Sequence, residues 1–161
     1  MIEQEQMYTY IEEFFGSFLK NYLRKIDNFR IIEKEAVLQC LLFSFFNDKG
    51  LLCLVEQKCL TEIDENGFLK ESRNGRFDLL VADTPIELKI INSKQQVTNI
   101  DHPFAKNEKD PRKLRWVGDH RKLCFHSRGN KYGYQINLSE DASSIGLLSY
   151  FNGELLKPDV F

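Results

Sequence analysis

The strongest constraint on the fold is a pair of apolar segments, residues 75–82 and 85–91, that only Asp83 and Thr84 separate. A connection this short joins antiparallel strands, because a parallel pair needs a crossover of about a dozen residues or more. The segments have the length and the alternation of β-strands. The sequence therefore predicts a β-hairpin near the middle of the chain.

Each strand of this hairpin has one apolar and one polar face, because side chains alternate along a strand. The residues expected on the apolar face are Phe77, Leu79, Val81, Ile86, Leu88 and Ile90. The opposite face carries Asp78, Glu87 and Lys89. If the turn is centred between Ala82 and Asp83, Asp78 faces Glu87 directly across the hairpin.

Two facing carboxylates repel each other and need a compensating cation when they lie inside an apolar strand pair. Hard oxygen ligands of this kind are typical of Mg²⁺ or Mn²⁺ sites, and Lys89 would point into the same site. The polar face of the hairpin is therefore predicted to bind a divalent cation.

Hydrophobic spacing predicts two helices before the hairpin. Apolar and aromatic residues recur every three or four positions between Glu5 and Ile26, which indicates an amphipathic helix. Its aromatic face either packs on the core or forms a dimer interface. A second helix, apolar on nearly all sides, is expected from Glu33 to Asn47 and to end near Gly50.

The remaining segments complete an α/β sandwich with a mixed sheet. Further strands are expected at residues 51–60, 122–126 and 132–138. Asp110 and Pro111 are typical of the start of a helix, here a basic helix that ends near Arg121. The tail after Glu140 is expected to hold another helix. No repeat or linker divides the chain, so a single domain is expected.

The composition is that of an ordinary globular domain, with 161 residues of which 42% are apolar and 29% charged. No apolar run reaches the roughly 18 residues that cross a membrane, and the N-terminal segment lacks the basic region and cleavage site of a secretory signal. The four cysteines form no Cys-x-x-Cys pair. We therefore expect a cytoplasmic protein with free thiols.

Positive charge is concentrated in one part of the chain. Residues 89–135, which we call the basic block, contain eleven Lys and Arg against four Asp and Glu, although the whole chain has a net charge of −2. Such a surplus is typical of a phosphate-binding surface, because neutralising a phosphate releases condensed counterions; a solvated surface is the alternative. The residues expected to contact a nucleic-acid backbone are Lys94, Arg112, Lys113, Arg115, Arg121 and Lys122.

Two other patterns offer weaker candidates for a site. His120, Cys124 and His126 could supply three zinc ligands, but a fourth is not evident. A second Glu-x-Lys triplet is present at residues 56–58. We interpret it as a chance match, because the acidic residue upstream of it, Asp48, belongs to the loop that ends the second helix.

The hairpin resembles the PD-(D/E)xK nuclease superfamily. Proteins with this restriction-endonuclease-like fold have an Asp on one strand of a hairpin and Glu-x-Lys on the next, as Asp78 and Glu87-Leu88-Lys89 stand here, with Phe77 in the place of the proline. The resemblance implies a mixed β-sheet flanked by helices. Within one domain of residues 1–161, it implies a core of residues 33–138, an N-terminal helical extension of residues 1–30 and a C-terminal tail of residues 139–161.

The resemblance also implies a metal-dependent nuclease. Asp78, Glu87 and the carbonyl of Leu88 would bind Mg²⁺ or Mn²⁺, which would activate a water molecule and polarise the phosphate. Lys89 would orient that water or stabilise negative charge on the phosphate.

An acidic residue on the preceding helix commonly adds a metal ligand in this family. Glu35 fits that place, with Glu33 and Glu56 as competitors. The implied substrate is DNA, in restriction, phage defence or repair, and a homodimer through the N-terminal helix would allow two cuts. An RNA-processing nuclease and a catalytically inactive nucleic-acid-binding or assembly protein with the same fold are the alternatives.

Replacing Arg112, Lys113 and Arg115 together by Ala is expected to weaken DNA binding to every sequence. The slope of log K against log salt should flatten by up to about three units, about one for each lost phosphate contact. Anisotropy titrations at several salt concentrations measure this slope. Stability should change by no more than about 0.5 kcal/mol for each exposed charge. An unchanged slope would show that the basic block is only a solvated surface.

Overall fold

The structure is a computed structural model. It describes residues 1–22, 35–58, 62–63, 69–70, 75–91, 111–140 and 142–161, and for residues 62–63, 69–70 and 111–117 the backbone alone. The helices in these ranges are α1 (Gln4–Glu13), which continues as a π-helical segment (Phe14–Leu19), α2 (Glu35–Asp48) and α3 (Pro111–His126).

The strands in the described ranges form one large sheet and one small pair. They are β1 (Cys53–Lys58), β2 (Glu62–Ile63), β3 (Leu69–Lys70), β4 (Arg76–Val81), β5 (Thr84–Ile91), β6 (Tyr132–Ser139), β7 (Ile145–Phe151), β8 (Glu154–Leu155) and β9 (Asp159–Val160). The large sheet has the order β1-β4-β5-β6-β7-β8, with β9 beside β7, while β2 pairs with β3. Strands β5 and β6 are parallel and the other neighbours are antiparallel, so the sheet is mixed as predicted.

Helices pack on both faces of the large sheet. The core on one face joins α1 and α2 to alternate residues of the strands, and its buried members include Met7, Ile11, Leu38, Leu42, Phe46, Leu79, Leu88, Ile136 and Leu147. A second, smaller cluster joins α3 to the other face through Phe77, Leu123, Leu148 and Tyr150. The fold is therefore mixed α/β, with a seven-stranded, mostly antiparallel open sheet.

The predicted hairpin is confirmed by the turn and the register. Ala82 and Asp83 both have positive φ angles, 46° and 65°, as a two-residue type I′ turn requires. Leu79 pairs with Ile86, which is the register of a turn centred between these two residues. The strand following the turn begins one residue earlier than predicted, at Thr84.

The predictions for the first two helices hold in their main features, although residues 23–26 of the first and 33–34 of the second lie outside the described residues. Met7, Ile11 and Phe14 are fully buried, so the aromatic face of the N-terminal helix packs on the core. A homodimer through this helix would have to use its other face, and it stays a prediction. Helix α2 ends where expected, since Gly50 has a φ of 75° and its amide donates to the carbonyl of Asn47 at 2.8 Å.

Two predictions about the second half of the chain are wrong. Residues 122–126 are the last turns of α3 rather than a strand, because Leu123 is buried against the sheet on a helical face. The tail after Glu140 contains β7 to β9 rather than a helix, and β7 pairs along its length with β6. Apolar residues fill both faces of β7, so this run has no helical periodicity.

The predicted face of Phe77 is also wrong. Its side chain packs with Leu123 on the α3 side, whereas Leu79 belongs to the core under α2. The pairing of β1 with β4 includes Gln57–Phe77 and Val55–Leu79 but skips the pair between them, Glu56 and Asp78. Glu56 has a φ of 51°, so the alternation of side chains is interrupted there.

Two further findings concern membrane spans and the cysteines. No helix in the described ranges is long and apolar enough to span a membrane. Cys40, Cys53 and Cys124 are free thiols. Cys59 lies outside the described residues.

The substitution Phe46→Ala is expected to lower the free energy of unfolding by about 3–5 kcal/mol. Phe46 is fully buried, and the edge of its ring meets those of Tyr10 and Phe45, so truncation leaves a cavity between α1 and α2. Urea denaturation measures the loss. Leu52→Ala is the matched control, because Leu52 is 69% exposed, and it should change stability by less than about 0.5 kcal/mol.

Candidate active site

The site lies where β4 and β5 separate. Their pairing ends at Leu79–Ile86, beyond which β4 continues beside β1 and β5 beside β6. The amide of Leu88 is thereby free of the β4 ladder, and it donates a hydrogen bond of 2.7 Å to Oδ2 of Asp78. This bond holds the Asp78 carboxylate against the segment that carries Glu87 and Lys89.

Asp78 and Glu87 are brought together. Their side chains are within hydrogen-bonding reach of each other, and Glu87 is only 2% exposed. Leu88, the carbonyl of which is the third predicted ligand, lies between Glu87 and Lys89 in β5 and is buried. The predicted cluster thus lies on adjacent antiparallel strands, but Asp78 and Glu87 are not paired directly as predicted, because the β4–β5 ladder ends at Leu79–Ile86.

Lys89 joins the first turn of α2 to the site. Its Nζ lies 3.9 Å from Oε2 of Glu35, the first residue of α2, and 3.0 Å from Oδ2 of Asp119. Glu35 is therefore near the site, as predicted. Its competitor Glu33 lies outside the described residues.

Helix α3 contributes a second acid and a second lysine. Asp119 and Lys122 form an ion pair at 2.9 Å one turn apart, and the Lys122 ammonium group also contacts Oε1 of Glu87. The carboxylate of Asp119 therefore bridges two lysines, with Oδ1 on Lys122 and Oδ2 on Lys89.

Asp119 was not among the residues predicted from the sequence. The helix that carries Asp119 is rich in Lys and Arg, and only these cations were predicted to be functional. A signal was present, because Asp119, Lys122 and the apolar Leu123 have the spacing of a single helical face, and Leu123 is buried. An acid on the buried face of a basic helix indicates a partner beneath it.

Strand β6 adds two buried polar residues that were also missed. Gln135 lies beside Glu87 and Asn137 beside Lys89, and the amide of Gln135 donates to Asn137 at 2.9 Å. The signal for both is strict alternation with the apolar residues of β6. Buried polar side chains that alternate with apolar ones along a strand indicate a polar site on that face of the sheet.

Burial dominates the electrostatics of the site, because it disfavours the charged form of each acid. Burial raises the pKa of Asp78, although the Leu88 amide and Lys89 oppose this shift. Burial also raises the pKa of Glu87, and Asp119 adds to the shift while Lys122 opposes it. The pKa of Glu35 is raised by burial as well, against the opposing charge of Lys89.

The pKa values of both lysines are set by burial and by the carboxylates near each of them. Burial by itself lowers the pKa of Lys89, but the carboxylates of Asp119 and Glu35 outweigh it, so the pKa is raised. Burial likewise lowers the pKa of Lys122, and Glu87 and Asp119 outweigh it. The lysines therefore stay protonated as counter-ions of the acidic cluster.

Gln39 of α2 supports the irregular strand segment beneath the site. Its Nε2 donates to the backbone carbonyl of Asp78 at 2.7 Å and to Oε1 of Glu56 at 3.2 Å. Glu56 is therefore adjacent to Asp78, but among the described contacts neither Glu56 nor Lys58 forms an ion pair with the site. Glu56 of the second triplet therefore approaches the cluster, as a competitor of Glu35 would, although no described ion pair joins this triplet to Lys89 or Lys122.

The predicted nucleic-acid contacts are only partly described. Arg121 is exposed on α3, but Lys122 is only 17% exposed and is held by acids, not on an open surface as predicted. Arg112, Lys113 and Arg115 lie on α3 with side chains outside the described part. Lys94 lies outside the described residues altogether.

The structure does not assemble the zinc candidates. Cys124 Sγ lies 3.5 Å from Nε2 of His120, and Nδ1 of His120 lies 3.0 Å from the hydroxyl of Tyr150. His126 packs instead against the ring of Phe77, with a centroid distance of 5.5 Å. His120 and Cys124 share a helical face, while His126 is turned toward the hairpin, so the three do not converge.

The residues present fit a hard divalent cation by their chemistry. Four carboxyl groups, of Glu35, Asp78, Glu87 and Asp119, surround only two ammonium groups. Among the described residues, no three acidic, His or Cys side chains are arranged around one point. The ammonium groups of Lys89 and Lys122 lie between the carboxylates. A divalent cation would therefore have to replace part of their ion pairing.

A comparison with protein-family models, curated proteins and solved structures finds no match to this chain.

The free energy of unfolding, measured with a chelator present, is expected to fall as the pH rises from about 5 to about 8. The pKa of Glu87 is raised in the folded protein above its ordinary value of 4.5, so the folded state retains a proton that the unfolded chain releases. Stability is therefore fully present below the ordinary pKa and is lost as the pH rises towards the raised one.

Glu87→Gln should flatten this dependence, because the amide does not titrate. Urea denaturation across the pH series is the measurement, and Glu12→Gln on the exposed side of α1 is the control, which should keep the wild-type slope. A wild-type slope in Glu87→Gln would show that the raised pKa of Glu87 is not the cause of the pH dependence.

Proposed function

We propose that this protein is a Mg²⁺-dependent nuclease that hydrolyses phosphodiester bonds of DNA, with a restriction-endonuclease-like core. The observation that carries this proposal is the hydrogen bond from the Leu88 amide to Asp78. It holds one carboxylate beside the segment Glu87-Leu88-Lys89 at the point where two strands of a mixed sheet separate.

The architecture around this bond supports the proposal. Helix α2 packs on the hairpin and begins at Glu35, so the acid expected from the preceding helix lies near Lys89. Helix α3 connects the parallel strands β5 and β6 and brings Asp119 to the other side of the same lysine. Two helices and two strands therefore contribute charged groups to one place.

Mg²⁺ or Mn²⁺ would be held by Asp78, Glu87 and the Leu88 carbonyl, with Glu35 completing the set. Bound there, the cation supplies a water of lowered pKa and polarises the phosphate. The protein itself contributes Lys89. Its ammonium group would stabilise the negative charge that develops on the phosphoryl oxygens.

Asp119 and Glu35 keep Lys89 suited to this task. Both carboxylates keep its pKa high, so the ammonium form is available at neutral pH despite burial. The 3.0 Å contact with Asp119 also restricts the side chain to one direction. A flexible lysine would otherwise lose entropy on meeting the phosphate.

The basic block supports a nucleic-acid substrate, and DNA is the member of this class that we propose. Arg121, exposed on α3, is the described cation nearest in sequence to the cluster. Phosphate contacts carry no sequence information, so they suit a backbone-cleaving enzyme of any specificity.

Lys89→Ala is expected to lower the rate of Mg²⁺-dependent DNA cleavage by about 10²–10³-fold, because it removes a charge that acts on the transition state. DNA binding should be retained. Single-turnover cleavage of single-stranded, duplex and branched DNA and of RNA, in one Mg²⁺ buffer, measures the rate and the substrate class together.

Lys58→Ala is the matched control, since Lys58 ends the other Glu-x-Lys triplet and is exposed. It should cleave at the wild-type rate. Binding without cleavage in the wild type would identify a catalytically inactive nucleic-acid-binding protein, and preferential RNA cleavage would identify an RNA-processing enzyme. Equal loss in both variants would contradict the role of Lys89.

A further inference from the structure

Lys122 covers the carboxylate of Glu87. Its ammonium group contacts Oε1 of Glu87, lies 2.9 Å from Oδ1 of Asp119 and donates at 2.8 Å to the backbone carbonyl of Arg76. A lysine ammonium group has three N–H donors, and three oxygen atoms receive them here. The nitrogen also lies 5.6 Å from the ring centroid of Phe77. Lys122 is therefore a fully coordinated internal cation.

Lys89 occupies a different position in the cluster. It contacts Asp119 and, at 3.9 Å, Glu35, whereas the described ion pairs of Glu87 involve Lys122. The two lysines therefore share Asp119, whereas Glu35 lies near Lys89 and Glu87 contacts Lys122. Of the two predicted carboxylate ligands of the hairpin, Glu87 is the one that an ammonium group already contacts.

We propose that Lys122 and the divalent cation compete for Glu87, so that binding of the cation requires release of the Lys122 ammonium group. This inference rests on the proposed metal-dependent function. Glu87 is only 2% exposed, and one of its oxygens is taken by Lys122. A second positive charge on the same buried carboxylate would meet strong repulsion, because screening by water is weak there.

The structure gives Lys122 a way to leave. The Lys122 side chain is 17% exposed, so solvent reaches part of it. The aliphatic stem of a lysine can remain packed while the ammonium group turns towards water. Gly118, one turn before Lys122 on the same side of α3, is exposed, so solvent reaches this part of the helix.

The first experiment measures Mn²⁺ binding by titration calorimetry. Lys122→Met keeps the stem that packs near Phe77 but removes the charge, and we expect Mn²⁺ to bind about tenfold more tightly than in the wild type. Lys131→Met is the matched control, because it removes the same charge from an exposed position after α3. Its Mn²⁺ affinity should stay within about twofold of the wild type, since exposed charges are screened.

The second experiment uses the wild-type protein and therefore does not depend on the folding of a variant. Acetylation by an acid anhydride, read by peptide mass spectrometry, reports how available each lysine is. Saturating Mn²⁺ should raise the acetylation rate of Lys122 several-fold and leave that of Lys131 unchanged. In Glu87→Gln the rate at Lys122 should be high with or without Mn²⁺.

The outcomes separate this inference from the proposed function. Wild-type Mn²⁺ affinity in Lys122→Met, together with an acetylation rate at Lys122 that Mn²⁺ does not change, would overturn the competition while the metal site stands. Absence of Mn²⁺ binding in both the wild type and Lys122→Met would overturn the metal-dependent function itself. Tighter binding in Lys122→Met with wild-type affinity in Lys131→Met supports the competition.

Discussion

The rest of the site depends on one hydrogen bond, from the Leu88 amide to the carboxylate of Asp78. An inner strand normally gives this amide to the carbonyl of its neighbour, but here a side chain accepts it after the ladder has ended at Leu79–Ile86. The bond allows β4 and β5 to separate without leaving a buried donor unpaired. It also places a carboxylate beside Glu87, and the separation of the strands lets groups from α2 and α3 reach the same point.

The backbone around this bond is irregular, and α2 supports it. Glu56 adopts a φ of 51° inside β1, a conformation that costs a non-glycine residue about 1–2 kcal/mol. Gln39 bonds both Glu56 and the carbonyl of Asp78, so one helical side chain holds the distorted parts of two strands. Such strain persists only where surrounding contacts maintain it, and it occurs most often at functional sites. Phe77, next to Asp78 in β4, packs on the α3 side of the sheet.

Burial of the charged cluster costs free energy that its ion pairs do not fully return. Removing a carboxylate from water costs several kcal/mol, and ion pairing with a buried lysine rarely returns more than this cost. Burial raises the pKa of Glu87 and the charge of Asp119 adds to the shift, so the contact with Lys122 does not offset both effects. A cluster of this composition contributes little to stability, and its cost is understandable in a protein that uses the charges.

Local patterns in the sequence determined the hairpin, its register and the end of α2, because a two-residue turn, side-chain alternation and a C-terminal glycine act over a few residues. The Asp78, Glu87 and Lys89 cluster followed from the same rules. The sequence was misleading at 122–126, where a short apolar run suits a strand or a helix equally.

Only the tertiary structure decided which groups of distant elements meet. The packing of α3 against the sheet places Asp119 between two lysines and draws Lys122 off the surface, and no local rule encodes that packing. The face of Phe77 was decided in the same way, by its packing with Leu123 of α3. Side-chain periodicity tells which residues share a face of one element, whereas contacts between elements depend on long-range packing that periodicity does not contain.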